Sequence, residues 1–570
     1  MAHLHKKVKK GKTYYYIREM ARVDGKPKVV NQIYLGSVEK ILSMALNKEK
    51  ADIDKIQVQE FGSLFLANLV ESKVQLVKII DSVISQDKKH KGPSIGEYFL
   101  YAVFNRMIEP KSKEALCQWY KKTAIHLIRP VDISALTSRN YWKKWERVSK
   151  EDIDKISKLF FERINEIKPI NSDCFLFDTT NYYMYMDSKT PSELAVRGKN
   201  KEGKDWLRQI GLALLVSRES EIPFFYREYE GNCHDSKLFN RVLKEIFSVL
   251  NSLSLSDKEL TIVFDKGMNS EANIAEIDKN SGIHFITSYS PHFAEHLISK
   301  DLSFFTPLSF SKNKTLSEYD QILAYRSRGE YWGRDRTVIV TYNPLTASKQ
   351  RYNFEKKLMR LKNYLYEIRA KVRENKKSFK DPNHIKKRYK DICELLYLPQ
   401  NLYDLDFFIE NNQLKMKFRK NYHQINKYIS RFGKNIIITD HNDWSTEDIV
   451  KAYLDRYQVE RAFRQTKAKE FGNMRPIYHW TDKKIRCHIL CCIVALTYLR
   501  LLSLWLKKAG IMLSIDKIME SMRSLHSCLC WHSGKRKPIR IIEEPTPLQS
   551  EILSAFGYKV KSGVLQKISK

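Results

Sequence analysis

Three acidic residues stand where a carboxylate could do chemistry. Asp178 and Asp265 each follow a short apolar run, CFLF before the first and TIVF before the second. A carboxylate that emerges from a buried strand is held at a fixed place, as rigid coordination of a cation requires. Lys266 and Gly267 follow Asp265, and the glycine permits a sharp turn beside a ligand. An ordinary strand-end or helix-capping aspartate would read the same way, so each depends on its context. The third acid supplies that context. Beyond Ser445, the residues Tyr453, Arg456, Glu460 and Lys467 are spaced three, four and seven apart. On one helix, at about 100° per residue, they fall within roughly a 60° arc. Ala452, Val459 and Phe463 form an adjacent apolar stripe suited to packing on a sheet. A solvated face with i,i+3 and i,i+4 ion pairs would explain the charges, but not the phenol aligned with them.

The elements that must position these groups can be read from periodicity. From about residue 171, CFLFDTTNYYMY, LRQIGLALLVS and IPFFYREYEG succeed one another at the spacing of an antiparallel meander. A helix over about 236–250, the strand LTIVFD, the helix SEANIAEIDKN and the strand IHFITS follow. This is a mixed α/β pattern in the order of a ribonuclease-H-like, five-stranded sheet flanked by helices. After His292 the alternation stops. Residues 318–343 look strand-like, and 346–397 are long, basic and helical. The α/β signals resume with KNIIITD and STEDIVKAYLDRYQVERAFRQTKAK, so 291–434 reads as an insertion between the fifth strand and the helix of Glu460.

Upstream, KTYYYIREMARV and KPKVVNQIYLG flank Asp24-Gly25, the signature of a tight hairpin turn. Between Ser94 and Ser149 the pattern is helical. IGEYFLYAVFNRMI is broken by Pro110, and SKEALCQWYKKTAI and SRNYWKKWERVS come next. Short basic, aromatic helices suit a DNA-binding region and an ordinary bundle alike. The expected division is a β-hairpin region (1–45), a helical region suited to binding DNA (46–170), a core in two parts (171–290 and 435–507) split by the insertion (291–434), and a C-terminal region (508–570).

Composition narrows the function classes. At 570 residues the chain is too long for one ordinary core, and 43% hydrophobic residues exclude a disordered chain. The net charge of +34 would make a folded protein repel itself unless part of its surface faces a polyanion. Nucleic acid is the default polyanion, because each phosphate neutralised releases a counterion; a lysine-rich solvated surface is the alternative. The opening MAHLHKKVKKGK has no apolar run after it and does not read as an export signal. The stretch 489–506 has the length of a membrane span, but Arg500 inside it is expensive in lipid, so it reads as a buried core helix of a protein with no membrane role. Nine cysteines without a secreted framework point to reduced thiols in a cytosol. Cys487, His488, Cys491 and Cys492, and likewise His526, Cys528, Cys530 and His532, lack the paired spacing of structural zinc ligands.

Tyr453-x2-Arg456-x3-Glu460-x6-Lys467 resembles the Y-x2-R-x3-E-x6-K signature of DDE transposases from bacterial insertion sequences, in particular the cut-and-paste "insertion sequence four" superfamily. The blocks LFDTT, LRQIGLALLVS, YEGNCHDSK, IVFDKG, GKNIIITD and MRPIYHWTDKKIRCHILCCIVAL resemble such enzymes in the same order, and YYYIREMARVDGKPKVVNQIYLG resembles the start of one long-chain branch. The likeness covers residues 1–40 and about 171–505. It implies that Asp178, Asp265 and Glu460 form a catalytic triad holding two Mg²⁺ ions, with Mn²⁺ as a substitute. Hard cations take carboxylate and phosphate oxygens; one would activate the attacking oxygen and the other stabilise the leaving oxygen. It also implies that Tyr453, Arg456 and Lys467 grip phosphates, with Arg464, Lys266 and Tyr457 also on the DNA, and that Tyr457 or Trp444 stacks on an unpaired base. The implied partners are double-stranded DNA, as transposon ends and target, and a second copy of the chain in the bacterial cytoplasm at the nucleoid. A structure-selective nuclease of the same fold and a transposase-derived DNA-binding protein remain open. An RNA-binding protein would lack its usual aromatic motif here.

Overall fold

A computed structural model describes residues 2–9, 12–23, 26–38, 40–42, 53–85, 92–170, 174–198, 203–252, 259–290, 294–468, 470–475, 477–532 and 536–568. The expected Asp24-Gly25 turn and His292 lie outside the described residues. Strands β1 (Ala2–Lys9), β2 (Lys12–Val23) and β3 (Lys26–Gly36) form an antiparallel sheet in that order. The expected hairpin is thus two of three strands. The basic opening is the third, its alternation of His3, His5 and Lys7 with Leu4, Lys6 and Val8 hidden by its high charge.

Strand β4 (Ile53–Glu60) leads into a helical region. Its central helix, Ile95–Ile108, starts at a Ser94–Glu97 capping box, ends before Pro110 and buries every residue except Glu97. Helices Lys113–Lys121 and Ser138–Glu146 follow, each capped by a hydroxyl, Ser112 and Thr137.

The main sheet begins with β5 (Cys174–Met184), β6 (Val196–Arg197), β7 (Arg208–Ser217) and β8 (Pro223–Glu230). After the helix Asp235–Ser252 come β9 (Leu260–Phe264), the helix Glu271–Asp278 and β10 (Ile283–Tyr289). Five of these strands lie in the order β10-β9-β5-β7-β8. Here β9 and β10 run parallel to β5, while β7 and β8 are antiparallel neighbours. Crossover helices are what parallel strands require; β5 lies inside the sheet between β9 and β7, and its apolar residues Cys174–Phe177 are buried.

The sheet has ten strands, not the expected five. Strands β11 (Thr306–Pro307), β12 (Leu323–Tyr331) and β13 (Arg334–Tyr342) belong to it. Between β13 and the return to the sheet lie β14 (Tyr403–Glu410) and β15 (Gln413–Lys420), a separate hairpin, and then β16 (Lys434–Thr439). β16 pairs with β10 through Ile286↔Thr439 and offers its other edge to β13 through Val338↔Ile438. An apolar strand with an open edge recruits a partner, and KNIIIT is such a strand. Residues 344–433 stand apart from the sheet. The helices Pro344–Arg373 and Pro382–Leu395 pack with the β14–β15 hairpin around Phe354, Leu361, Leu365, Ile385, Tyr389 and Ile425, a second hydrophobic core.

Helices α1 (Thr446–Leu454), α2 (Tyr457–Lys467) and α3 (Asp482–Lys508) follow β16. By length and composition α3 could cross a membrane, yet 83% of its apolar window is buried inside the protein. It packs against Ile95–Ile108, and Cys487, Cys491 and Cys492 sit in that core as small hydrophobes. The C-terminal HSCLCWH segment is a strand, β17 (His526–His532), paired with both β4 and β18 (Ile539–Ile542), so it closes a sheet with a strand from the other end of the chain. Among the described residues, no three His, Cys, Asp or Glu side chains are placed to hold a metal ion.

Candidate active site

The register of two parallel strands brings the first two carboxylates together. β5 pairs with β9 through Phe175↔Ile262 and Leu176↔Val263, where the pairing stops. Two residues further on each strand come Asp178 and Asp265, at the same level. Asp265 leaves its strand there and opens the 3₁₀ turn Lys266–Met268. Asp178 lies within its strand, as the strand-like run CFLFDTTNYYMY leads one to expect: β5 continues to Met184, and β7 pairs with it from Phe175 onward, Asp178 opposite Leu214. Gly267 has neither a positive φ nor a close neighbour, since an added Cβ would meet only an Asp235 carboxylate oxygen at 4.0 Å. The expected need for glycine at this turn is therefore not there.

Glu460 comes from α2, which packs on β5 and buries Val459, Ala462 and Phe463. The four residues Tyr453, Arg456, Glu460 and Lys467 were expected on one helix; the structure breaks it. α1 ends at Leu454, and the N–H groups of Gln458 and Val459 donate to carbonyls three residues back, Asp455 and Arg456. This tight turn is anchored by Asp455, whose carboxylate accepts from Arg218 Nε at 2.8 Å. The apolar stripe of Ala452, Val459 and Phe463 survives the break, and all three are buried.

Arg456 stands at the centre of the group. Its guanidinium lies 3.4 Å from an Asp265 oxygen and 3.6 Å from a Glu460 oxygen, and over the Tyr453 ring at 5.6 Å. Lys467 reaches back to the sheet. Its Nζ donates to Thr180 Oγ1 at 2.6 Å and sits 5.2 Å from the centre of the Tyr182 ring. Tyr457, Arg464 and Lys266 are exposed. Trp444 stacks on His441, with ring centres 4.0 Å apart.

Burial pushes the Asp178 carboxyl up to about 6, with the charges of Asp265 and Glu460 adding to the rise against the opposing Thr179 N–H and Arg456. The three carboxylates therefore feel one another. As placed, the three do not form a group able to hold a metal ion; Arg456 lies between Asp265 and Glu460 and supplies the positive charge that screens both. A carboxyl whose pKa is higher folded than unfolded lends stability that is full at low pH and lost as pH rises through its folded value. With chelator present, Asp178→Asn is expected to be more stable than the parent by about 1–3 kcal/mol above about pH 7, the gain shrinking toward about pH 4. Urea unfolding at both pH values checks this; an equal gain at both would mean that ionisation of Asp178 is not the cause.

Two residues near the site were not anticipated. Asp235, inside the YEGNCHDSK block, accepts from Thr179 Oγ1 at 3.0 Å and lies beside Gly267, a fourth carboxylate near the pair of aspartates. Glu221, in the turn between β7 and β8, pairs with Arg461, the neighbour of Glu460, and with Arg500 of α3 at 3.0 Å. No spacing rule flags either, because each meets its partner only through the sheet.

Residues 186–497, more than half of the chain, match the family model described as "Transposase DDE domain". The match contains Asp265 and Glu460 and begins just after Asp178. Among solved structures the chain is similar to the piggyBac transposase in a synaptic complex with hairpin DNA, at 9% identity over 82% of each chain and a TM-score of 0.38. It is also similar to the Mos1 transposase in a paired-end complex with the left transposon end, at 12% identity over 35% of this chain and 61% of that one, with a TM-score of 0.14. Likenesses this distant bear no weight of their own. No curated protein sequence matches the chain.

Proposed function

Because the chain belongs to the DDE transposase domain family, whose members cleave DNA and transfer strands with divalent metal ions, we propose that it moves an insertion sequence of the "insertion sequence four" kind by cutting at terminal inverted repeats and joining the ends to target DNA. The observation that carries this reading is the β5–β9 register. It sets Asp178 beside Asp265, and Arg456 links Asp265 to Glu460.

In this reading Asp178, Asp265 and Glu460 would hold two Mg²⁺, which would supply an activated oxygen nucleophile and a stabilised leaving oxygen for in-line displacement. The chain's own groups do the rest. The sheet fixes the two aspartates, so little reorganisation is left for the moment of reaction. Arg456 is placed to exchange its carboxylate contacts for a phosphate oxygen, for which a guanidinium fork is well shaped. Lys467, steadied by Thr180, adds a point charge, and Tyr453 backs Arg456. Tyr457, Arg464 and Lys266 lie on exposed surface where the DNA would run. Pairing two ends requires two copies of the chain.

The test is to incubate the protein with labelled duplex carrying the ends of its parent element and a supercoiled target, with Mg²⁺ or with chelator. Cleavage at the ends and joined product are expected only with metal. Cleavage without joining would favour a nuclease. Binding without cleavage under any divalent cation would favour a DNA-binding protein that has lost catalysis.

A further inference from the structure

Asp178 is placed along its strand by register, and a second set of contacts reaches it from the far side of the sheet. Successive residues of a strand point to opposite faces. Asp178 and Thr180 share the face that α2 covers, since Lys467 of α2 donates to Thr180 Oγ1. Thr179 points to the other face, where the helix Asp235–Ser252 begins. There its hydroxyl donates to Asp235 Oδ1 at 3.0 Å, while its backbone N–H donates to Asp178 Oδ1 at 2.8 Å. Thr179 thus holds one oxygen of each acid.

The same helix start is tied to the second aspartate. Asn273, wholly buried in the helix Glu271–Asp278, donates through Nδ2 to Met268 O at 2.6 Å and to Ser236 O at 3.0 Å. Met268 closes the 3₁₀ turn that Asp265 opens, and Ser236 follows Asp235. The Asp235 carboxylate also borders that turn at Gly267, 4.0 Å from where a Cβ would stand. One chain of contacts therefore runs from Asp178 through Thr179, the Asp235–Ser236 helix start and Asn273 to the turn of Asp265. Past Leu176↔Val263 the strands β5 and β9 are no longer paired, so these contacts give the two aspartates a link that the strand pairing does not.

We propose that Asp235 is a positioning residue of the reaction: by accepting from Thr179 at the helix start that Asn273 joins to the Asp265 turn, it keeps Asp178 and Asp265 in their mutual placement. This rests on the reading of those two aspartates as the reacting site. The role is that of a hydrogen-bond acceptor behind the sheet, so it needs an oxygen and not a charge. Outer contacts that orient the groups bearing the chemistry are worth about tenfold to a hundredfold in other sites, because a small misplacement is felt at the reacting atoms.

The experiment uses the full chain and has two readouts. In the cleavage assay Asp235→Ala is expected to lower kcat by about tenfold to a hundredfold with KM for DNA unchanged. Asp235→Asn should keep most of the rate, because an amide oxygen accepts as a carboxylate oxygen does. Thr179→Val, which keeps the shape and removes the donor, should lose as much as Asp235→Ala, and Thr179→Ser should recover it. Asp235→Ala combined with Thr179→Val should fall no further than the lower single variant. The second readout needs neither metal nor DNA: in chelator, backbone amide exchange at Thr179 and over 266–269 should be several-fold faster in Asp235→Ala and parental in Asp235→Asn. Equal losses in Asp235→Asn and Asp235→Ala would overturn the proposal, because the charge would then be what matters. So would losses that multiply in the double variant, or a parental rate or parental exchange in Asp235→Ala. A parent protein that does not cut DNA would defeat the functional reading alone, and the exchange measurement would still decide whether Asp235 holds the two aspartate-bearing segments.

Discussion

Glu460→Gln is expected to lower metal-dependent cleavage at the transposon ends by about a thousandfold or more, equivalent to about 4 kcal/mol of lost transition-state stabilisation, while DNA affinity in chelator changes little. The amide keeps the shape of the side chain and removes the charge needed to hold a cation. Glu460 is half exposed and belongs to no buried network, so the fold should tolerate the change, and circular dichroism of the variant should match that of the parent. Among the described residues its close charge partner is Arg456, which retains Asp265. Cleavage followed on a sequencing gel, with binding measured separately, decides the matter. A variant that cuts at the parent rate would show that the third carboxylate lies elsewhere, with Asp235 the first residue to examine.

A second large effect is expected at Glu221, through stability rather than chemistry. Its carboxylate holds Arg500, which lies inside α3 and is almost wholly buried, and Arg461, which follows Glu460. Removing one partner of a buried pair leaves the other charge without compensation, which costs about 3–5 kcal/mol. Arg461 is partly exposed and adds little to that sum. Glu221→Ala should therefore unfold at markedly lower urea, and Glu221→Gln should lie between. Loss of the Arg461 tie also frees the helix of the third carboxylate, and a misplacement of about 1 Å can cost about a hundredfold in rate. Cleavage by the folded Glu221→Gln protein should fall accordingly. If both variants keep parental stability and rate, the tie between the β7–β8 turn and α2 has no part in holding the site.

Much of the site was legible because the relevant signals are local. CFLF and TIVF before their aspartates marked β5 and β9, and the stripe of Ala452, Val459 and Phe463 marked the buried side of the Glu460 helix. Pro110 and the Ser94 cap marked the ends of Ile95–Ile108. Arg500 within α3 was correctly a sign of a core helix, although its partner Glu221 could not be named. The errors occurred where a distant partner overruled a local pattern. Asp455 is drawn to Arg218, and the expected single helix of Tyr453 to Lys467 is broken in two. β16 offers its open edge to β13, and the sheet grows past the five strands expected.

The sequence by itself determined which residues could do the chemistry and which elements would bear them, because strand alternation, helix stripes and caps depend on neighbours along the chain. It also determined the strong positive charge from which a polyanionic partner was expected. Tertiary structure alone decided that Asp178 meets Asp265, that the sheet grows to ten strands through β16, and that Glu221 secures the helix of Glu460. Those outcomes depend on the register between strands and on charge pairs far apart in the chain. Register is set by which buried faces and open edges find one another in the folded molecule, and no spacing within a single segment encodes that.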